Sequence, residues 1–142
     1  MNYLHAPYIK SGKILNKDFL YVLYASMHEP VSFIRLYEWR DLTDMEVAAL
    51  GTLWKHIGDL MGIDYKQEVG RSEWRDGIHF MNDIKAWGDK YEDEHLLETK
   101  DANKLGAVLW KLLLSSYPSF MRPAGYQISL VILGDRLRSA FG

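Results

Sequence analysis

Apolar residues in this chain recur every three or four positions, and no stretch alternates apolar with polar over a strand's length. A helix turns once in about 3.6 residues and a strand reverses its side chains at every step, so this spacing predicts helices and no sheet. The fold class that follows is all-α, a bundle of about five helices. Asn16 or Asp18 can cap a first helix through Phe19, Val22, Leu23 and Met27, which Pro30 should kink or end before it continues through Phe33, Ile34 and Tyr37. Thr43-Asp44-Met45-Glu46 is a capping-box sequence. It opens a second helix with a stripe of Met45, Ala49, Leu53, Ile57 and Leu60, stopped by Gly62. Ser72 can cap a third, striped by Trp74, Ile78, Met81, Ile84, Trp87 and Tyr91, in which Gly77 is a weak point of roughly 1 kcal/mol relative to Ala. Asp101 can start a fourth, carrying Leu105, Val108, Leu109, Leu112 and Leu113 up to Pro118. Pro123 fits the first turn of a fifth, carrying Tyr126, Leu130, Leu133, Leu137 and Phe141.

The 142 residues fit one domain, and 48% hydrophobic with 13% aromatic residues is ample for a buried core. No repeat or linker interrupts them, so residues 1–142 read as a single helical domain. Lys and Arg number 17 against 19 Asp and Glu, a net charge of −2 that gives no sign of nucleic acid as a partner. The absence of cysteine removes disulfides, thiolate metal sites and cysteine nucleophiles, and it fits a reducing compartment. No signal peptide is visible, and the most apolar stretches (residues 19–37, 105–117 and 124–134) are too short or too interrupted to span a bilayer. The expected location is therefore intracellular, without a membrane anchor in this chain.

Catalytic motifs are scarce. The histidines are His5, His28, His56, His79 and His95, with no pair at metal-site spacing, and each alone reads as a surface or satisfied side chain. Glu92-Asp93-Glu94-His95 reads as a solvated helix end rather than a hard-metal cluster. Nucleophile elbows, phosphate loops and dinucleotide fingerprints are absent. Residue types alone give a helical bundle, with or without a pocket.

A family resemblance carries the reading further. It rests on Asn2-Tyr3-Leu4-His5 followed by Tyr8, Lys10 and Gly12-Lys13-Ile14, then Leu20-Tyr21-Val22-Leu23, Glu29-Pro30-Val31 and Tyr37-Glu38-Trp39-Arg40. Leu42-Thr43 with Glu46, Gly51-Thr52, Trp54-Lys55, Ile57-Gly58-Asp59 and Met61 continue it. Asp76-Gly77, Trp87, Tyr91-Glu92, Arg122-Pro123 and Asp135-Arg136-Leu137-Arg138 complete it. In order and spacing these resemble the family of the ER-bound oxygenase mpaB and the rubber oxygenase (latex-clearing protein) catalytic domain, most closely its fungal members. The resemblance implies a fold distantly like a globin, haem b as cofactor, and oxidative cleavage of an isoprenoid or prenyl double bond. It makes His5 the axial iron ligand, a role suited to neutral imidazole. Arg35 or Arg40 is then a candidate partner for a haem propionate. No distal catalytic group can be named.

The resemblance also implies that the chain is the central to C-terminal part of an oxygenase catalytic domain. A preceding helical region with an Arg- and Thr-containing motif is missing, and family members continue beyond residues 135–142. The expected partner is an isoprenoid or other apolar small molecule, with self-association through uncovered apolar faces. The alternative is a non-catalytic helical fragment that acts as an interaction or apolar-ligand-binding module.

Overall fold

The computed structural model describes residues 2–141; the side chains of residues 134–136, 140 and 141 lie outside that description. All regular structure in it is helical. Seven helices run in the order α1 (Asn2–Lys10), α2 (Asn16–Tyr37), α3 (Asp44–Met61), α4 (Tyr65–Val69), α5 (Gly77–His95), α6 (Lys100–Leu113) and α7 (Arg122–Phe141). The two beyond the expected five are α1, which carries His5, and the single-turn α4. A five-residue helix has too few positions to show a period. Its ends are marked instead: the Asp64 carboxylate accepts from Gln67 N–H, and Gly70 closes it at φ 81°.

Contacts divide the chain into two compact units, one up to Tyr91 and the other from Glu92. The first unit holds the core: Leu20, Leu23, Tyr24, Met27 and Val31 of α2 pack with Val47, Ile63, Tyr65, Phe80, Met81 and Ile84. That packing explains why α2 runs through Pro30 without ending there. Pro30 cannot donate to the Ser26 carbonyl, but Met27 and Val31 on either side are buried and hold the rod together. Neither Asn16 nor Asp18 is the cap residue. Leu15 occupies that position, and the Asp18 carboxylate reaches back to its N–H at 2.8 Å.

Two further expectations need correction. The α3 stripe lies on the wrong face: Met45, Leu53 and Leu60 are exposed, while Val47, Gly51 and Gly58 are buried. And α5 starts at Gly77, capped by the Asp76 carboxylate on His79 N–H at 2.8 Å rather than by Ser72. The first follows from the close crossing of α3 and α5. A Cβ at Gly51 would stand 2.2 Å from the Gly77 carbonyl oxygen, and one at Gly77 would stand 2.1 Å from the Ala48 carbonyl oxygen. Glycine at both positions lets the backbones touch, so Gly77 marks a helix contact, not a weak point.

The second unit is a hairpin of α6 and α7. Thr99 caps α6 on Ala102 N–H, and Trp110 meets Tyr126 edge to face at 5.4 Å. Pro123 falls in the first turn of α7 as expected, and Tyr126, Leu130, Leu133 and Leu137 are half-buried. Phe141, the last member of that stripe, and the Asp135-Arg136 pair of the resemblance have side chains outside the described residues. Gly106 is the only fully buried residue of α6, whose Leu105, Val108, Leu109, Leu112 and Leu113 face outward.

Candidate active site

The largest cavity described, about 490 Å³, lies in the first unit between α1, α2 and α3. Phe19, Val22, Leu23 and Ser26 line it from α2, and Trp54, Ile57 and Met61 from α3. Each set has helical spacing and so shares a face. His5 of α1, Ile14 and Asp18 complete the wall. The lining is overwhelmingly apolar, and the volume falls within the roughly 300–1,000 Å³ usual for small-molecule and cofactor sites.

His5 is the half-buried imidazole of this wall. No residue of α1 is fully buried, so the helix is positioned by a few specific contacts. The Asn2 side-chain amide donates to the Leu60 carbonyl at 2.7 Å, tying the start of α1 to the end of α3. The Phe19 ring meets the His5 ring edge-on at 5.1 Å. Pro7 lies in the second turn, where it forgoes only the bond to the Tyr3 carbonyl. His5 Nδ1 is buried with no hydrogen-bond partner. An unsatisfied buried polar atom costs about 1–3 kcal/mol; Nδ1 has almost no accessible surface, so the cavity is lined by the rest of the His5 ring.

A b-type haem calls for one nitrogen donor and an apolar slot for the macrocycle. The His5 imidazole supplies a nitrogen donor, and the wall of Phe19, Val22, Leu23, Trp54, Ile57 and Met61 an apolar lining, of the kind both needs call for. The site supplies no other donor cluster, and the described residues include no group of three or more histidines, cysteines or carboxylates suited to a bare metal ion.

The arginines considered as propionate partners are not brought to this cavity. Arg35 is exposed near the end of α2. Arg40 forms a two-pronged pair with Glu46, both N–O distances 2.9 Å, and lines a separate shallow recess with Ile34, Glu38, Trp39 and Leu42. This pair pulls the Glu46 carboxyl down to about 2 and raises the Arg40 guanidinium. Of the other histidines, His28 stacks on Tyr24 and contacts Ser32 Oγ, and His79 lies against Arg71 and Asp83. His56 and His95 are exposed.

The pocket residues of α2 and α3 were visible in sequence only as apolar positions. What makes them a pocket is that α1 overlies two stripes that do not close on each other. Trp54 and Met61 beside His5 in the resemblance were the available hint.

The class defined so far is an all-α protein with an apolar cavity and an imidazole on its wall. Comparison with curated proteins gives the particular family. Over 139 residues, 97% of this chain, it is 37% identical to the ER-bound oxygenase mpaB of Penicillium roqueforti (strain FM164) and 35% identical to the ER-bound oxygenase mpaB' of Penicillium brevicompactum. The ER-bound oxygenase mpaB of Penicillium brevicompactum is 40% identical over 96 residues, 67% of the chain. The chain belongs to the family of these fungal mpaB oxygenases. It spans only 47%, 33% and 24% of their respective lengths. No family model matches the chain, and no solved structure matches it.

Proposed function

We propose that this chain contributes the cofactor-binding part of a haem-b-dependent oxygenase that cleaves a carbon–carbon double bond in an isoprenoid or prenyl chain. The observation that carries the reading is the His5 imidazole on the wall of the apolar cavity. The names of the Penicillium relatives support the oxygenase part of it.

His5 would hold the iron, and the haem would supply activation of dioxygen, with both oxygen atoms ending in the two carbonyl products. The chain's own residues do the rest. Phe19 packs edge-on against the His5 ring. Val22, Leu23, Trp54, Ile57 and Met61 would give the macrocycle an apolar bed, burial of apolar surface contributing about 25 cal/mol per Å². The proposal rests on His5 and not on Arg35 or Arg40. The relatives' names suggest work at the endoplasmic reticulum membrane; among the described residues no helix is long and apolar enough to cross one.

The test is titration of the chain with ferric haem, with and without His5→Ala. The expected outcome is an absorption spectrum of imidazole-ligated haem in the parent, abolished by the substitution. Haem bound with the same spectrum by both proteins would remove His5 from the role of ligand.

A further inference from the structure

The outward face of α6 carries a run of exposed aliphatic side chains. At 100° per residue, Leu105, Val108, Leu109, Leu112 and Leu113 fall on one arc, and all five are between 42% and 68% exposed. The opposite side, with Asn103, Gly106, Ala107 and Trp110, faces the cavity shared with Tyr126, Leu130 and Leu133 of α7. Lys100, Lys104 and Lys111 lie within 40° of one another along one edge of the apolar arc, and all three are exposed; Asp101, in the first turn, falls within the arc and pairs with Lys104 at 3.7 Å. Phe120 before α7, and Ile128, Val131 and Ile132 on it, add exposed apolar area in the same unit.

Charge follows the same division. Residues 100–142 hold six Lys and Arg against two Asp, a net of +4, whereas residues 1–99 hold eleven basic against seventeen acidic residues, a net of −6. The near-neutral total conceals a basic apolar hairpin.

We infer that the outward face of α6 docks on an anionic lipid surface. Three occupants of such a face differ in what they reward. A second copy of this hairpin would bury the leucines but set like charges against each other. A nucleic acid would use the lysines and leave five aliphatic side chains uncovered. An anionic bilayer satisfies both: the aliphatic arc sinks below the headgroups, and the lysine stems extend to the phosphates. Fourteen residues make a rod of about 21 Å, too short to span the hydrocarbon, so α6 lies in the membrane plane. The inference uses none of the residues proposed to hold haem.

The experiment is flotation of the full chain with vesicles of phosphatidylcholine alone and of phosphatidylcholine containing phosphatidylserine. The chain is expected to float with the mixed vesicles. The Leu109→Glu/Leu112→Glu pair should lower vesicle affinity more than about tenfold, since two aliphatic anchors are replaced by charge. Lys104→Gln/Lys111→Gln should lower it about tenfold, as should omission of phosphatidylserine. These lysines are exposed, so their replacement leaves the fold alone and decides the matter even if the leucine variant loses helix by circular dichroism. A chain that stays in the dense fraction with both vesicles would overturn the inference. So would flotation indifferent to both variants, or a lipid-free dimer that Leu109→Glu dissociates.

Discussion

Thr43 and Glu46 hold the start of α3 by reciprocal bonds: Glu46 N–H donates to Thr43 Oγ1 at 3.3 Å, and Thr43 N–H donates to the Glu46 carboxylate at 2.8 Å. Thr43→Ala removes half of this box and should lower the free energy of unfolding by about 1 kcal/mol in urea denaturation. Glu46 itself is a pH sensor of stability. Bonds from Arg40 and Thr43 hold its carboxyl near 2 when folded, against 4.5 for the free group. A carboxyl with a depressed folded value binds fewer protons in the native state, so its contribution is complete above pH 4.5 and is lost as pH falls toward 2. The urea midpoint should therefore fall through that window, and less steeply in Glu46→Gln. Equal slopes would show that the pair with Arg40 has no thermodynamic weight.

At the scale of elements, the crossing of α3 and α5 sets two requirements against each other. Alanine at Gly51 would favour the helix by about 1 kcal/mol. It would also drive a Cβ to 2.2 Å from a backbone oxygen, which cannot rotate away. Overpacking of this kind costs about 1–3 kcal/mol and more where backbone must move, so Gly51→Ala should destabilise, read as a lowered midpoint in thermal or urea unfolding. The same substitution at Gly62, an αL stop with nothing near its Cβ position, is penalised by backbone strain alone. These glycines mark the limit of what the sequence discloses. The capping box, the α5 and α7 stripes and the all-α class were legible because they depend on neighbours within one helix. The buried face of α3 was not, since apolar residues occupy more than one of its faces and glycine, which carries no hydrophobic signal, selects the one that packs. His5 was singled out only by family resemblance; its unpaired nitrogen and the cavity beside it depend on where α1 lies, which no period encodes.

At the scale of the whole molecule, stability is distributed unevenly. All eleven buried core side chains belong to the first unit, whereas α6 buries one glycine and α7 has no fully buried residue among those described. Each fully buried Leu, Met or Phe side chain contributes about 1.5–3 kcal/mol. Backbone order costs about 1–2 kcal/mol per residue in either unit. Helices that bury little must therefore open at low free energy, because isolated helices of this length are marginal in water. Amide hydrogen exchange should separate them. The amides of α2 around Leu20, Tyr24 and Met27 and those of α5 around Phe80 and Ile84 should exchange slowest, near the global limit. Those of α6 and α7 should exchange orders of magnitude faster. Adding anionic vesicles should slow α6 and leave the α2 amides around Leu20, Tyr24 and Met27 unchanged, since those are already buried in the core. Uniform protection across all seven helices would mean that the hairpin is stabilised by contacts its exposed leucines do not reveal.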